Sequence, residues 1–459
     1  MPGAPLPRGP SCGRIPMSER RVSDPRLLAF RVLRSVDTED AYANLALSAA
    51  IRDAHLSARD AAFATELVSG TLRLRGTYDA IVGSLVTRSL DPEVHDVLAL
   101  GTHQLLNMRV PQHAAVATSV ELARRQVGHR VAGLVNAVLR KVAQRSLADW
   151  LDHLDADVSI RFSHPAWIVA ALAEAYGGDP TAVLEADNTP PRVCLVARPG
   201  MASVDELLEL EGARPHPASP IGVEIAGGDP GSIPAVREGR AGVQDAGSQV
   251  IALALAAAEV DTASDERWLD MCAGPGGKAS LLGALAAERG AFLLANERAA
   301  HRADLVAKAM RGLGGRPAIV AGDGTRPAWR ENTFDRVLVD APCSGLGALR
   351  RRPESRWRRQ PSDIDDLVPL QRTLLDQAIA STKPGGVIGY ATCSPVLVET
   401  VEVVGALLSD RDDVTLENAT ALVPWLTDAA CASMPEAIQL WPNVHGTDAM
   451  FLAVLRRAR

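Results

Sequence analysis

From about residue 241 the chain alternates short apolar runs with helical segments, and this alternation limits the possible folds more than any other feature. Runs of strand type occupy 267–271, 291–295, 318–321, 336–339 and 387–391. Short strands separated by helix-length connections predict a parallel sheet with helices on both faces. Ligands of such sheets bind beyond the carboxyl ends of the strands, so the residues closing each run become candidates for chemistry. Two last runs, 437–441 and 449–455, are expected to form a closing antiparallel pair at one edge.

The preceding region has a different period. From Asp24 to about Arg145 the apolar residues recur at helical spacing, as in Leu27, Leu28, Phe30, Val32, Leu33 and Val36. Asp91-Pro92 reads as an N-cap followed by proline at the first helical position. An all-α bundle is therefore expected over 22–145. The basic residues Arg124, Arg125, Arg130, Arg140, Lys141 and Arg145 near its end fit a solvated helical face. Over 146–240 the pattern is broken, with helical segments around Trp150 and Trp167, then Pro190-Pro191 before a strand-like run, then recurrent Gly and Pro. This stretch predicts a linker and a small α/β extension, leaving 241–459 as the catalytic domain.

Composition sets outer limits. With 459 residues and 47% apolar content, the chain can bury several cores. Its net charge of -7 argues against a surface coated with nucleic acid and leaves room for a local basic site. Residues 1–21 are rich in Pro, Gly and Arg and lack the apolar centre of a secretory signal, so a disordered tail is expected, with Met17 a second candidate start. No stretch approaches the roughly 20 apolar residues that span a bilayer. Six irregularly spaced cysteines without a Cys-x-x-Cys unit suit neither a disulfide framework nor a zinc module, and they point to a reducing cytoplasm and no metal. Nothing suggests a dimerisation seam, and a monomer is expected.

Three segments at the ends of apolar runs carry the chemistry. Asp270-Met271-Cys272-Ala273-Gly274-Pro275-Gly276-Gly277-Lys278 is a glycine-rich strand-to-helix turn. Such a turn lets a nucleotide-like cofactor approach the backbone and offers it a helix N-terminus. Glu297, twenty residues after Gly277, is placed to accept hydrogen bonds from ribose hydroxyls, and Asp323 to meet an adenine amino group. Either acid alone would equally fit a helix cap. Lys278 is followed by Ala279 instead of Ser or Thr, which argues against a nucleoside triphosphatase. A dinucleotide dehydrogenase fits the turn and leaves two cysteines unexplained.

Those cysteines are Cys343, in Asp340-Ala341-Pro342-Cys343-Ser344-Gly345, and Cys393, in Thr392-Cys393-Ser394. Cytosine carbon 5 is a poor nucleophile. Addition of a thiolate at carbon 6 converts the ring to an enamine that can attack the methyl group of S-adenosylmethionine, after which a base removes the carbon 5 proton. A group such as Asp340 at ring nitrogen 3 would stabilise the developing charge. Directly after Cys343, the arginines Arg350, Arg351, Arg352 and Arg356 can pair with RNA phosphates, while Trp357 can stack on a base or pack.

At these residues the chain resembles the RNA cytosine-5 methyltransferases of the Sun/Fmu type, the bacterial 16S rRNA methyltransferase B family. The helical N-terminal part, Phe162-Ser163-His164-Pro165, Val243-Gln244-Asp245-Ala246-Gly247-Ser248 and His445-Gly446-Thr447-Asp448-Ala449-Met450-Phe451 extend the likeness over nearly the whole chain after the tail. The resemblance implies a multidomain protein, with an all-α NusB-like RNA-binding bundle, a small α/β extension and a Rossmann-like S-adenosylmethionine-dependent domain. It implies Cys393 as nucleophile and Cys343 as the residue that assists proton removal or product release. It places Cys272 to Lys278, Glu297, Asp323 and Asp340 around the cofactor, with Asp340 also facing the base. Gly274 stands where alanine is more usual. The expected substrate is 16S rRNA; tRNA or 23S rRNA, and an RNA-binding module with a vestigial catalytic domain, are the alternatives.

Overall fold

The computed structural model describes residues 24–39, 41–314 and 317–459; the expected tail at 1–21 lies outside them. The chain divides into two compact units. One comprises the residues up to Val169 together with Arg350–Arg358, and the other comprises Ala170–Leu349 and Arg359–Arg459.

The first unit is helical, as the periodicity predicts. Its opening helix, Pro25–Thr38, begins with proline at the first position and with the Asp24 carboxylate accepting from the Arg26 amide, which fixes the entry of the chain. The buried face of that helix, Val32, Leu33 and Val36, packs with Leu67 of Ala58–Arg73, Leu98 of Pro92–Leu106 and Leu139 of Ala132–Val142 in one core. Asp91 does precede the helix Pro92–Leu106, but its side chain makes no capping bond. The unit also runs past the expected boundary at 145. Ser146 and Asp149 form a reciprocal capping box at the next helix, Leu147–His153. Trp150 of that helix is fully buried, donating its indole N–H to the Val142 carbonyl at 2.9 Å, so the helix cannot be separated from the bundle.

The basic segment after Cys343 is built into this unit. Arg356 is 0% exposed and donates to the carbonyls of Arg73 (2.9 Å) and Ser163 (3.2 Å). The Trp357 indole N–H donates to the Leu72 carbonyl at 3.1 Å, and Arg358 donates to Val36 at 2.8 Å. At the opposite polarity, the buried Glu354 carboxylate accepts from the Ala43 amide, the first residue of the helix Ala43–Ala54. Cations therefore lie against carbonyls in the last turns of two helices and an anion against the first turn of a third, the arrangement that helix dipoles favour.

The second unit holds two sheets. The smaller contains β1 (Val193–Ala197), β2 (Arg214–Pro215), β3 (Gly222–Ile225) and β4 (Ala241–Val243), in the antiparallel order β2-β3-β1-β4. The larger contains β5 (Arg267–Asp270), β6 (Phe292–Glu297), β7 (Ala318–Ala321), β8 (Phe334–Asp340), β9 (Thr382–Thr392), β10 (Val414–Glu417), β11 (Ala430–Cys431), β12 (Met434–Gln439) and β13 (Phe451–Arg457). Its order is β11-β12-β13-β9-β8-β5-β6-β7, with β10 also pairing β13. The five predicted runs form the parallel part, β7-β6-β5-β8-β9. The last two runs do pair antiparallel, as β12 and β13, yet β13 is inserted beside β9 and is not an edge. Strand order reverses at β5, flanked by β6 on one side and β8 on the other, which opens a crevice at the carboxyl ends of these strands.

Candidate active site

Each parallel strand delivers a polar group to that crevice. Asp270 ends β5, Glu297 ends β6, Asp323 follows β7, Asp340 ends β8 and Cys393 follows β9. In the glycine-rich turn the Ala273 amide donates to the Asn296 carbonyl at 2.8 Å, and the Gly276 amide donates back to Ala273 at 2.7 Å. Gly276 has φ +110°, and a Cβ there would lie 2.7 Å from that of Ala309, so conformation and packing both require glycine. Cys272 is partly exposed, with burial and the neighbouring acids pushing its thiol well above its usual range, while Pro275 is exposed. The helix Gly277–Glu288 starts immediately afterwards.

The cradle fits a nucleoside cofactor. Asp270 Oδ2 and Asn296 Oδ1 are buried at the rim of the turn without a protein partner. Such atoms cost about 1–3 kcal/mol each unless a ligand or water satisfies them. Burial first, then the charge of Asp340, raises the Asp270 carboxyl to about 8. Glu297 is nearly buried, with Oε1 accepting from the Ala299 amide at 2.9 Å and Oε2 lying 3.5 Å from Arg302. A methyl group on Gly274 would stand 2.0 Å from Glu297 Oε2, so residue 274 and the Glu297 rotamer are set together. Asp323 is half-exposed. Its Oδ1 accepts from the Thr325 amide and hydroxyl, which holds its pKa below the usual carboxylate range.

At the other side of the crevice, Cys343 Sγ and Cys393 Sγ are 3.4 Å apart and both cysteines are free thiols. Gly347 makes the close approach possible, because its amide donates to the Cys393 carbonyl at 2.9 Å and a Cβ on it would strike the Ala449 carbonyl at 1.9 Å. The hydrogen bond to Cys393, then burial, then the charge of Cys393 hold the Cys343 thiol well above its ordinary range. Lys278 reaches across from the turn to Asp340 at 2.9 Å. Desolvation works against its charge, but Asp340 and then Cys393 outweigh it and leave the ammonium raised. One cation thus links the glycine-rich turn to the Asp340 strand end.

Sequence reasoning missed the group that fixes the two cysteine loops. Glu399 is fully buried; its Oε1 accepts from the Ser344 amide at 2.7 Å and from Gln371 at 3.1 Å, and its Oε2 from the hydroxyls of Ser344 at 2.5 Å and Ser394 at 2.7 Å. Ser344 and Ser394 are the residues directly after the two cysteines, so a single carboxylate ties both loops. The signal was present: Glu399 is the only charge between Pro395 and Val401. Of the arginines proposed to meet RNA, Arg356 is corrected to an internal packing residue, because its donors serve carbonyls inside the helical unit. Trp357 is corrected likewise, its ring lying where a Cβ on Gly76 would sit 2.5 Å away. Arg350 is nearly buried, Arg351 is exposed, and Arg352 lies 5.1 Å over the Tyr42 ring.

Comparison with known proteins converges on the same region. The chain matches the family described as 16S rRNA methyltransferase RsmB/F over residues 257–456, and the NusB family over 23–144. A Mycobacterium tuberculosis (strain H37Rv) protein with a provisional methyltransferase name is 48% identical over 95% of this chain and 98% of its own length. The ribosomal RNA small subunit methyltransferase B of Salmonella typhi is 36% identical over 78% of this chain and 84% of its own. Among solved structures, PH0851 covers 96% of this chain and 100% of its own at TM-score 0.79 and 20% identity. NSun6 from Pyrococcus horikoshii, solved with SFG, covers 64% of this chain and 98% of its own at TM-score 0.54 and 17% identity. These two share the fold.

Proposed function

Given that the chain belongs to the RsmB/F family of S-adenosylmethionine-dependent RNA methyltransferases and carries a NusB-family domain, we propose that it methylates carbon 5 of a cytosine in 16S rRNA through a transient bond from Cys393 to ring carbon 6. The observation that carries this reading is the pair of free thiols 3.4 Å apart beside the Lys278–Asp340 ion pair.

Cys393 acts as the thiolate, with the Lys278 ammonium nearby to favour its negative charge. Addition of Cys393 Sγ to carbon 6 pushes the electrons of the 5,6 double bond into the ring. Lys278, paired with Asp340 at 2.9 Å, brings the positive charge that offsets the negative charge developing there, and Asp340 faces the polar edge of the base at ring nitrogen 3. Bound S-adenosylmethionine supplies the methyl group; Asp270, the 272–278 turn, Glu297 and Asp323 would hold it. After methyl transfer the carbon 5 proton leaves to a base, the electrons of that C–H bond re-form the 5,6 double bond and the electrons of the C–S bond return to Cys393 Sγ, with Cys343 placed 3.4 Å away to assist that release. The helical unit is proposed to bind RNA, and the protein to act as a monomer.

Denaturing electrophoresis of Cys343→Ala with unmodified 16S rRNA and S-adenosylmethionine tests the scheme. A slow-migrating protein–RNA complex that is absent from Cys343→Ala/Cys393→Ala is expected. Substantial methylation by Cys393→Ala would remove the assignment of the nucleophile, and methylation of tRNA or 23S rRNA alone would remove the 16S substrate.

A further inference from the structure

Gln244, the residue after β4, is buried at 7% exposure, and neither its side-chain oxygen nor its side-chain nitrogen has a hydrogen-bond partner in the protein. Its backbone is fully engaged, the amide donating to the Cys194 carbonyl and the carbonyl accepting from Gln249. The side chain lies beside the glycine-rich turn. A Cβ on Gly277, at the start of the helix that carries Lys278, would lie 3.9 Å from Gln244 Cδ and Cγ. The next residue, Asp245, accepts from the Asp448 amide at 3.1 Å. From there the Ala449 amide donates to the Gly347 carbonyl and the Gly347 amide to the Cys393 carbonyl, so hydrogen bonds run from the Asp245 carboxylate through the backbone to the proposed nucleophile.

An orphaned primary amide within a protein is costly, by about 1–3 kcal/mol for each unmet group, and a leucine of similar size would remove the cost. A donor and an acceptor on one short planar group match the edge of a pyrimidine, which presents amino, ring-nitrogen and carbonyl groups side by side. We infer that Gln244 is a further recognition residue of this site, its amide hydrogen-bonding the polar edge of the cytosine held against Cys393. The inference rests on the covalent cytosine reading above. It places the base between the Gln244 loop and the Lys278–Asp340 pair, a position from which carbon 6 meets the thiol and carbon 5 faces the cofactor cradle.

The test is Gln244→Leu in the full chain, compared with the wild type in three measurements: thermal unfolding, S-adenosylmethionine affinity by calorimetry, and the rate of adduct formation on 16S rRNA transcribed with 5-fluorocytidine, whose fluorine blocks release. The expected result is a melting temperature equal to or above that of the wild type, an affinity changed less than twofold, and adduct formation slowed at least tenfold. A residue with only a structural role would lower the melting temperature. A tenfold loss of S-adenosylmethionine affinity with a normal adduct rate at saturation would overturn the inference and assign Gln244 to the cofactor. A variant unchanged in all three would overturn it too. Failure of the wild type to form an adduct would instead overturn the covalent reading, and this inference with it.

Discussion

Glu399 carries the largest consequence of any single side chain outside the reacting groups. Its two oxygens are the shared acceptors for the residues that follow Cys343 and Cys393, in a buried setting where a charged acceptor is worth roughly 1.5–3 kcal/mol per bond. Glu399→Ala leaves those donors unmet and frees the two loops. We expect a loss of about 3 kcal/mol or more in chemical unfolding, and methylation falling at least tenfold with S-adenosylmethionine affinity kept, because the cofactor turn is not part of the tie. Asp270 gives a different signature. Its carboxyl is raised to about 8 in the folded protein against roughly 3.9 in the unfolded chain, so folding favours the protonated form. That contribution is fully present below about pH 4 and is lost as pH rises toward 8. Asp270→Asn cannot ionise; in the cofactor-free protein its stability relative to the wild type is expected to increase between pH 5 and pH 8, as read from denaturant midpoints. An unchanged difference across that range would mean the carboxyl is already ionised.

At the scale of elements, the segment Arg350–Arg358 is a structural part of the helical unit, although it is reached from the loop that carries Cys343. Arg356→Met removes the donors to the Arg73 and Ser163 carbonyls and is expected to destabilise the helical unit by about 2–4 kcal/mol in denaturant unfolding. Its effect on the salt dependence of RNA binding should be nil. The exposed Arg351 is the contrast. If it meets a phosphate, Arg351→Ala lowers the slope of log K against log salt by about 1. A basic run in sequence reads alike in both cases. What separates them is whether the guanidinium is buried against helix-terminal carbonyls or stands at the surface, and residues hundreds of positions away decide that.

At the scale of the whole molecule, the parallel part of the large sheet was legible because fully buried strands are short apolar runs and their crossovers are helix-sized. The polar closing residue of each run was legible for the same reason, since only at a strand end does the chain leave the core. The position of β13 was not, because an antiparallel strand joins whichever neighbour its register and burial suit. The division into units was legible only in part. Trp150 extends the bundle by burying its ring there, and 350–358 join it from far along the chain. None of the helices in the described residues is long and apolar enough to cross a membrane, in keeping with the sequence.

The sequence by itself determined the class of each region, the glycine-rich turn and the two cysteines, because hydrophobic period, glycine at positive φ and reactive side chains are local properties. Only the tertiary structure decided which groups meet: the two thiols at 3.4 Å, Lys278 on Asp340, Glu399 across both loops, Gln244 without a partner, and Arg356 inside the bundle. These are long-range pairings, set by strand order and core packing, which no stretch of neighbouring residues encodes.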